Sequence, residues 1–206
     1  MARRSDHTRD ELRRMALDAA RAIVEEDGLR GLSTRRLAKA IGYTPGTLYQ
    51  LFSDLDELII EVNIETLDAL YAACKSVDFD RGPEEALLDL ATRYIAFIGQ
   101  QPKLWNALFE HALPESKQQP NDYNQRVFRL LGLAEQALSP LFPGDGMSAS
   151  HEARVLWSSL YGIASLASSN KMSEAETPEA MVRSLVTNYV AGLRATQISS
   201  DQLPEA

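Results

Sequence analysis

Along almost the whole chain, apolar positions recur with the period of a helix. Leu12, Met15, Ala16, Ala19, Ala20, Ile23 and Val24 step alternately by three and one, a single stripe on a 3.6-residue helix. Thr8-Arg9-Asp10-Glu11 has the form of a capping box ahead of that stripe, and Gly28 follows it as a stop, so a first helix is predicted over 8–27. Ser33 is a suitable N-cap for a short second helix through Ile41, with Leu37, Ala38 and Ile41 inward and Arg35, Arg36 and Lys39 outward. Gly42 permits a tight turn. Thr44 before Pro45 then predicts a third helix over 45–51, because proline at the first helical position loses no hydrogen bond. Asp54 with Glu57 three residues on opens a fourth, running to about Lys75. Further helical patterns cover 83–100, 102–112, 120–138, 150–169 and 178–195, each starting at or near a proline or hydroxyl cap. No segment alternates with period two. Pro114, Pro120, Pro140, Pro143, Gly144 and Gly146 all fall between helical patterns. The expected fold is all-α, with about nine helices.

Charge changes this picture only after it is divided. The 206 residues carry 21 basic and 29 acidic side chains, a net −8 that on its face argues against a nucleic-acid partner. Residues 1–53, however, hold ten basic and seven acidic groups, and the remainder holds eleven and twenty-two. The first quarter, residues 1–53, is therefore suited to an anionic partner, while the acidic 54–196 provide solubility, folding mass or a second function. Residues 197–206 have little to bury and are expected to form a loose tail. The single Cys74 excludes an intrachain disulfide and a cysteine zinc cluster and fits a reducing cytoplasm. Arginines interspersed with acids fill the first thirty residues, so no signal-peptide core is expected, nor any apolar run of the roughly 18–20 residues that span a bilayer.

Two short helices joined through Gly42 and braced by the first have the geometry that presents the later helix to a DNA major groove. The tip of that helix offers Thr44, Thr47, Tyr49 and Gln50, whose hydroxyl and amide groups can bond phosphates or base edges, while Leu48, Leu51 and Phe52 anchor it. Backbone N–H groups at the two helix starts add phosphate-binding capacity. Arg13, Arg14 and Arg21 read as the solvated face of helix one.

The string Ser33-Thr34-Arg35-Arg36-Leu37-Ala38, then Gly42, then Thr44-Pro45-Gly46-Thr47-Leu48-Tyr49-x-x-Phe52, closing with Asp56-Glu57-Leu58, closely resembles the DNA-binding domain of the tetracycline-repressor (TetR) family. The resemblance covers about residues 8–60. It implies a homodimeric repressor whose two heads, each a helix-turn-helix domain over 1–53, bind half-sites of a palindromic double-stranded operator and leave it when a small molecule enters the C-terminal ligand-binding and dimerisation domain over 54–196. It nominates Ser33, Thr34 and Arg35 at the start of helix two, Thr44, Pro45 and Gly46 at the groove-facing tip, and Thr47, Tyr49 and Gln50 beside phosphate or bases. Leu55 stands where the family often has a phosphate-touching lysine, leaving Arg3, Arg4 or Arg9 to supply that contact, and Leu51 stands where histidine or another polar aromatic is common.

Helices eight and nine are apolar on more than one face, which allows one face for the core and one for a second copy. Trp157, Leu160, Ala164, Leu185 and Tyr189 are the interface candidates, in the place where TetR-family dimers form. The spacing Trp157-x-x-x-Tyr161-Gly162, with Tyr94, Phe97 and Trp105, resembles the C-terminal class named for a Trp-His-Gly signature, with Tyr161 where histidine is usual. Tyr71, Tyr94, Phe97, Trp105, Phe109, Phe128 and Tyr161 are the candidate pocket lining, and Arg93, His111 and Arg126 could orient a polar ligand. An alternative is a ligand-independent architectural dimer around a filled core. Catalysis is not expected. His7, His111 and His151 lie far apart without metal-ligand spacing, Cys74 has no evident base, and no glycine loop cradles a phosphate, so no cofactor is expected either.

Overall fold

The computed structural model describes residues 7–200, with side chains through Thr196. Among them are nine α-helices, three short 3-10 turns and no strand: α1 Arg9–Asp27, α2 Thr34–Ala40, α3 Pro45–Leu51, α4 Leu55–Cys74, α5 Pro83–Gln100, α6 Pro102–Glu110, α7 Asn121–Leu138, α8 Gly146–Ser168 and α9 Pro178–Ser200. Arg3, Arg4 and the part of the expected tail beyond Ser200 lie outside the described residues.

The starts follow from local chemistry. Thr8 and Glu11 close the reciprocal capping box on α1, the Thr8 N–H donating to the Glu11 carboxylate at 2.6 Å and the Glu11 N–H to the Thr8 hydroxyl at 3.3 Å. The Ser33 hydroxyl accepts the Arg36 N–H at 3.3 Å. At α4 the Asp54 carboxylate accepts the Glu57 N–H, whereas Glu57 reaches past Asp54 to the N–H of Ser53. The turn from α2 to α3 is a Schellman close, with Tyr43 N–H to Ala38 C=O at 2.9 Å and Gly42 N–H to Lys39 C=O at 3.2 Å. Gly42 has φ +76°, a region where a Cβ is strained, so glycine suits this turn.

Two helix ends differ from expectation. α8 begins at Gly146 rather than Ser150, because Asp145 caps it through the N–H and hydroxyl of Ser148. The flanking glycines mask that cap in the sequence. α9 runs on past Ala195 to Ser200, and the Thr196 hydroxyl folds back on the carbonyls of Gly192 and Leu193 instead of ending the helix.

The chain forms two compact units. The first joins residues 1–68 to 101–124, so that α6 belongs with the N-terminal helices although it follows α5 in sequence. Its core is built from Ala16, Ala20 and Val24 of α1, Leu37 and Ala38 of α2, Leu48 and Leu51 of α3, Leu58 and Val62 of α4, and Leu104 and Ala107 of α6. The second joins 69–100 to 125–206. There α5 packs on both α8 and α9. α9 offers Val182, Val186 and Val190 one turn apart, and α8 offers Ala153, Leu156, Leu160 and Ala164 in the three-and-four steps of a helix stripe.

Leu37 is 1% exposed at the centre of the first core. Leu37→Ala should destabilise that unit by about 2–5 kcal/mol, the usual range for truncating a buried leucine. Urea unfolding followed by circular dichroism measures it, and an unmoved midpoint would contradict this account of the core.

Candidate nucleic-acid interface

The α2–α3 pair is built so that apolar side chains face in and polar ones stand out. Leu48, Leu51 and Phe52 are buried, as the sequence implied. Ser33, Arg35, Thr44, Pro45, Gly46, Tyr49 and Gln50 are exposed, and Thr34 and Thr47 are half-buried. Tyr49 is 57% exposed, unusual for a ring on a two-turn helix. The Thr44 and Thr47 hydroxyls lie 3.3 Å apart across the first turn of α3, and the Thr44 side chain makes no cap bond to the helix it precedes. His7 meets the Tyr43 hydroxyl at 2.8 Å, tying the residue before α1 to the turn.

The arginines of this unit divide into two groups. Arg13 bonds Glu57 at 2.9 Å and Glu61, Arg14 bonds Asp18 and Glu65, Arg21 bonds Glu25 at 3.0 Å, and Arg36 bonds Glu26 at 3.0 Å and Asp27. Burial works against the Arg13 cation, but the bonds to Glu57 and Glu61 outweigh it and raise its pKa. Burial likewise works against the Glu57 carboxylate, and the Ser53 N–H and Arg13 overcome it and hold the pKa below the usual range. Arg14 is exposed, as a solvated face requires, while Arg13 and Arg21 are half-buried; each of the three pairs with a carboxylate, and Arg13 and Arg14 tie α1 to α4. Among the described residues Arg35 makes no ion pair, and neither do Arg30 and Lys39, two cations the sequence reading did not nominate. The absence of a carboxylate three or four positions away marks Arg35 and Lys39 in the sequence, but not Arg30, which has Glu26 and Asp27 at that spacing. The uncompensated positive charge of the helix pair therefore sits on α2 and the turn before it, beside the exposed tip of α3.

Leu55, where a phosphate-touching lysine was missed, packs against the core. Cationic charge reaches that helix start from another direction, since Lys117 lies 2.5 Å from Asp54 and 2.7 Å from Asp56, and Asp56 also accepts from His111 at 3.1 Å. Lys117 holds both aspartates below their usual pKa range.

The seven aromatic residues expected to line a pocket are divided between the two units. Trp105 and Phe109, with ring centroids 4.9 Å apart, belong to the first unit, and the other five nominees belong to the second. Tyr94 and Phe97 are buried as core, Tyr71 is covered by the Arg129 guanidinium at 4.0 Å, and Phe128 is 60% exposed. Phe128 stands roughly 140° round the helix from Leu133, which α7 buries, and so faces away from the core. A cleft of about 600 Å3 lies in the first unit against α4, lined by Asp54, Ile60, Ile64, Leu113 and Lys117 among others, and by none of the nominees. Arg93 is engaged by Asp89 and Ser76, and His111 by Asp56.

The nominated interface is split in the same way. Leu160 and Ala164 are 8% and 0% exposed, in the chain's own core, and Tyr189 donates to Glu152 of α8. Leu185 is half-buried and Trp157 is 36% exposed. The large apolar side chains that α8 leaves exposed are Met147, Val155, Trp157 and Leu166, of which the sequence reading had nominated one.

A Schellman-closed pair of short helices with a polar tip and adjoining free cations defines a helix-turn-helix protein of the DNA-binding class. Residues 16–62 match the family model of bacterial regulatory proteins, tetR family, and residues 87–189 match that of the tetracyclin repressor-like C-terminal domain. The chain belongs to the TetR family of transcriptional regulators. The C-terminal description does not extend to the Trp-His-Gly class, which stays a resemblance. The HTH-type transcriptional regulator Rv0681 of Mycobacterium tuberculosis is 24% identical over 183 residues, 88% of this chain and 81% of that protein. YobS of Bacillus subtilis, another HTH-type regulator, is 28% identical over 94 residues, 46% of this chain, so the match spans about half (49%) of that relative's length. A protein of unknown function from Rhodococcus sp. RHA1 shares the fold at TM-score 0.73 and 23% identity, covering 94% of this chain and 100% of that one. The relatives are described as regulators rather than enzymes. Among the described residues no helix is long and apolar enough to cross a membrane, and no group of three His, Cys, Asp or Glu could hold a metal.

Cys74 is 2% exposed, and burial pushes its thiol up to about 11. Because the thiolate is the reactive form and exists only above that value, Ellman's reagent at pH 8 should leave the native protein unlabelled and react fully in guanidinium. Rapid native labelling would contradict the burial.

Proposed function

We propose that this chain is a homodimeric cytoplasmic repressor that binds a palindromic operator through α3 and the start of α2 and is released by a small molecule acting on its C-terminal region. The observation that carries the reading is the coincidence of the exposed polar tip of α3 with the unpaired cations of α2. Phosphate contacts need free positive charge, and base reading needs accessible hydroxyls and amides. Ser33, Thr34, Arg35, Thr44, Pro45, Gly46, Thr47, Tyr49 and Gln50 are the proposed contacts, with Arg30 and Lys39 added to the phosphate set. Dimerisation is supported by family membership and by the apolar residues left outside on α8, and two heads then meet half-sites about 34 Å apart or a multiple of that. The ligand rests on family membership alone. A ligand-independent dimer is the second reading, favoured by the burial of Tyr94 and Phe97 as core.

Selection of bound DNA from a random pool, repeated with candidate metabolites, tests the whole reading, since a palindromic winner released by one compound is the expected result. Against the selected site, Tyr49→Phe should weaken binding about tenfold for all sequences alike, as a hydrogen bond to a charged phosphate is lost. Arg35→Ala should also flatten the salt dependence by about one phosphate contact, whereas Arg36→Ala, whose partners are Glu26 and Asp27, should not. Equal slopes for the two would remove the charge argument.

Trp157→Glu combined with Leu166→Glu should give monomers by light scattering with helicity unchanged. A persistent dimer would place the interface away from the exposed residues of α8.

A further inference from the structure

α3 is held on one side only. Leu48 and Leu51 anchor it in the core, but apolar contact is non-directional and leaves the helix free to roll or tilt about those anchors. A reading helix needs its roll fixed, because a small rotation exchanges the side chains that meet base edges. Directional bonds must supply this, and α3 has few of its own: seven residues, no cation in its last turn and no side-chain cap.

The missing restraint comes from α1. The Arg13 guanidinium donates to the main-chain carbonyl of Leu51, in the last turn of α3, where the helix dipole and an orphan acceptor favour a cation. Its second terminal nitrogen donates to Glu57 at 2.9 Å and to Glu61, both on α4. The guanidinium plane lies 4.3 Å from the centroid of the Phe52 ring, the residue that ends α3. Glu57 passes the restraint on, its other oxygen accepting both the N–H and the hydroxyl of Ser53 at 2.7 Å in the α3–α4 turn. One side chain of α1 thus grips the end of α3, the turn after it and the start of α4. The neighbouring arginine gives the contrast. Arg14 bonds only the side chains of Asp18 and Glu65, is 52% exposed, and touches nothing in α3.

We propose that Arg13 is a positioning residue for DNA reading, fixing the roll of α3 through the Leu51 carbonyl and Glu57 and so governing sequence discrimination without touching DNA. This rests on the reading of α3 as the recognition helix. Lysine is a poor substitute at such a site, since a single ammonium cannot span a carbonyl, two carboxylates and a ring face as a planar fork does.

The test uses the full chain and three variants, Arg13→Met, Arg13→Lys and Arg14→Met, with two DNA probes: the site selected by the parent and a scrambled duplex of the same length. Arg13→Met keeps a stem over Phe52 but removes the charge and the donors. It should lose about tenfold or more on the selected site, in line with the loss of charge-assisted bonds, while its affinity for the scrambled duplex and the salt slope stay at parental values. Arg13→Lys should fall between the two, and Arg14→Met should discriminate as the parent does. Equal loss on both probes with a flatter salt slope would make Arg13 a phosphate contact and overturn the proposal. A discrimination ratio unchanged in Arg13→Met, or in Arg13→Lys if the methionine variant does not fold, would overturn it too. Hydrogen exchange separates this failure from failure of the functional reading. If the parent selects no DNA, the repressor reading falls, and the Phe52 and Ser53 amides still report on the grip. They should exchange faster in Arg13→Lys than in the parent, and equal protection would overturn the grip itself.

Discussion

α2 and α3 are each seven residues long, about half the length at which an isolated helix becomes even marginally stable in water. Neither can exist without the core beneath it. What holds the pair together is one shared apolar cluster, in which Leu37, Ala38, Leu48 and Leu51 meet Ala16, Ala20 and Val24 of α1 and Leu104 and Ala107 of α6. The alanines matter as much as the leucines. At 0% exposure Ala16 and Ala20 let short helices come close to α1, and a larger side chain there would lift them away. The Schellman turn at Gly42 then sets the angle between the two helices, and its strain-free φ is what keeps the turn to so few residues.

Upon that scaffold, ion pairs do more to shape the field than to hold the fold. Exposed pairs such as Arg14 with Asp18, or Arg36 with Glu26, contribute little stability, on the order of 0–1 kcal/mol. They do neutralise charge where it is not wanted. With Arg13, Arg14, Arg21 and Arg36 compensated, the positive charge left without a carboxylate ion-pair partner among the described residues of 1–53 is that of Arg9 at the start of α1 and of Arg30, Arg35 and Lys39 on α2 and the turn before it. A modest net charge can thus serve an anionic partner if its cations are sorted. The same sorting limits non-specific attraction and leaves a larger share of affinity to base contacts.

The elements were legible where the signal was local. The capping box at Thr8, the Ser33 cap, Pro45 at the start of α3 and the stripe of α1 each depend on residues within four positions, and each is in the structure. The Asp145 cap of α8 was equally local but hidden between two glycines that read as loop. The polar tip of α3 was legible for the same reason as the helix itself, since inward and outward positions follow from one period. What escaped was everything decided at long sequence separation. That Arg13 meets residues 38 to 48 positions away, that α6 joins the first unit across the whole of α5, and that Phe128 faces water are outcomes of packing that periodicity cannot give. The nominated aromatic residues share a type, but Trp105 and Phe109 belong to one unit and the other five to the other.

α8 shows how far a pattern that is apolar on more than one face can be resolved once packing is known. Ala153, Leu156, Leu160 and Ala164 are consumed by the chain's own core, which removes two residues that the pattern alone assigned to a partner. At 100° per residue, Val155 and Leu166 fall on the side of α8 away from that buried stripe and Trp157 beside the stripe, with the small Ser159 and Gly162 next to the first pair. Small residues between two exposed aliphatics permit close approach of another helix backbone, whereas Trp157 offers area at a rim with Tyr161 at 6.2 Å. The apolar strip that α8 leaves outside the core therefore runs along its Val155–Leu166 side. On α9 the Tyr189 hydroxyl is held by Glu152, and Met181, Leu185 and Leu193 are half-buried.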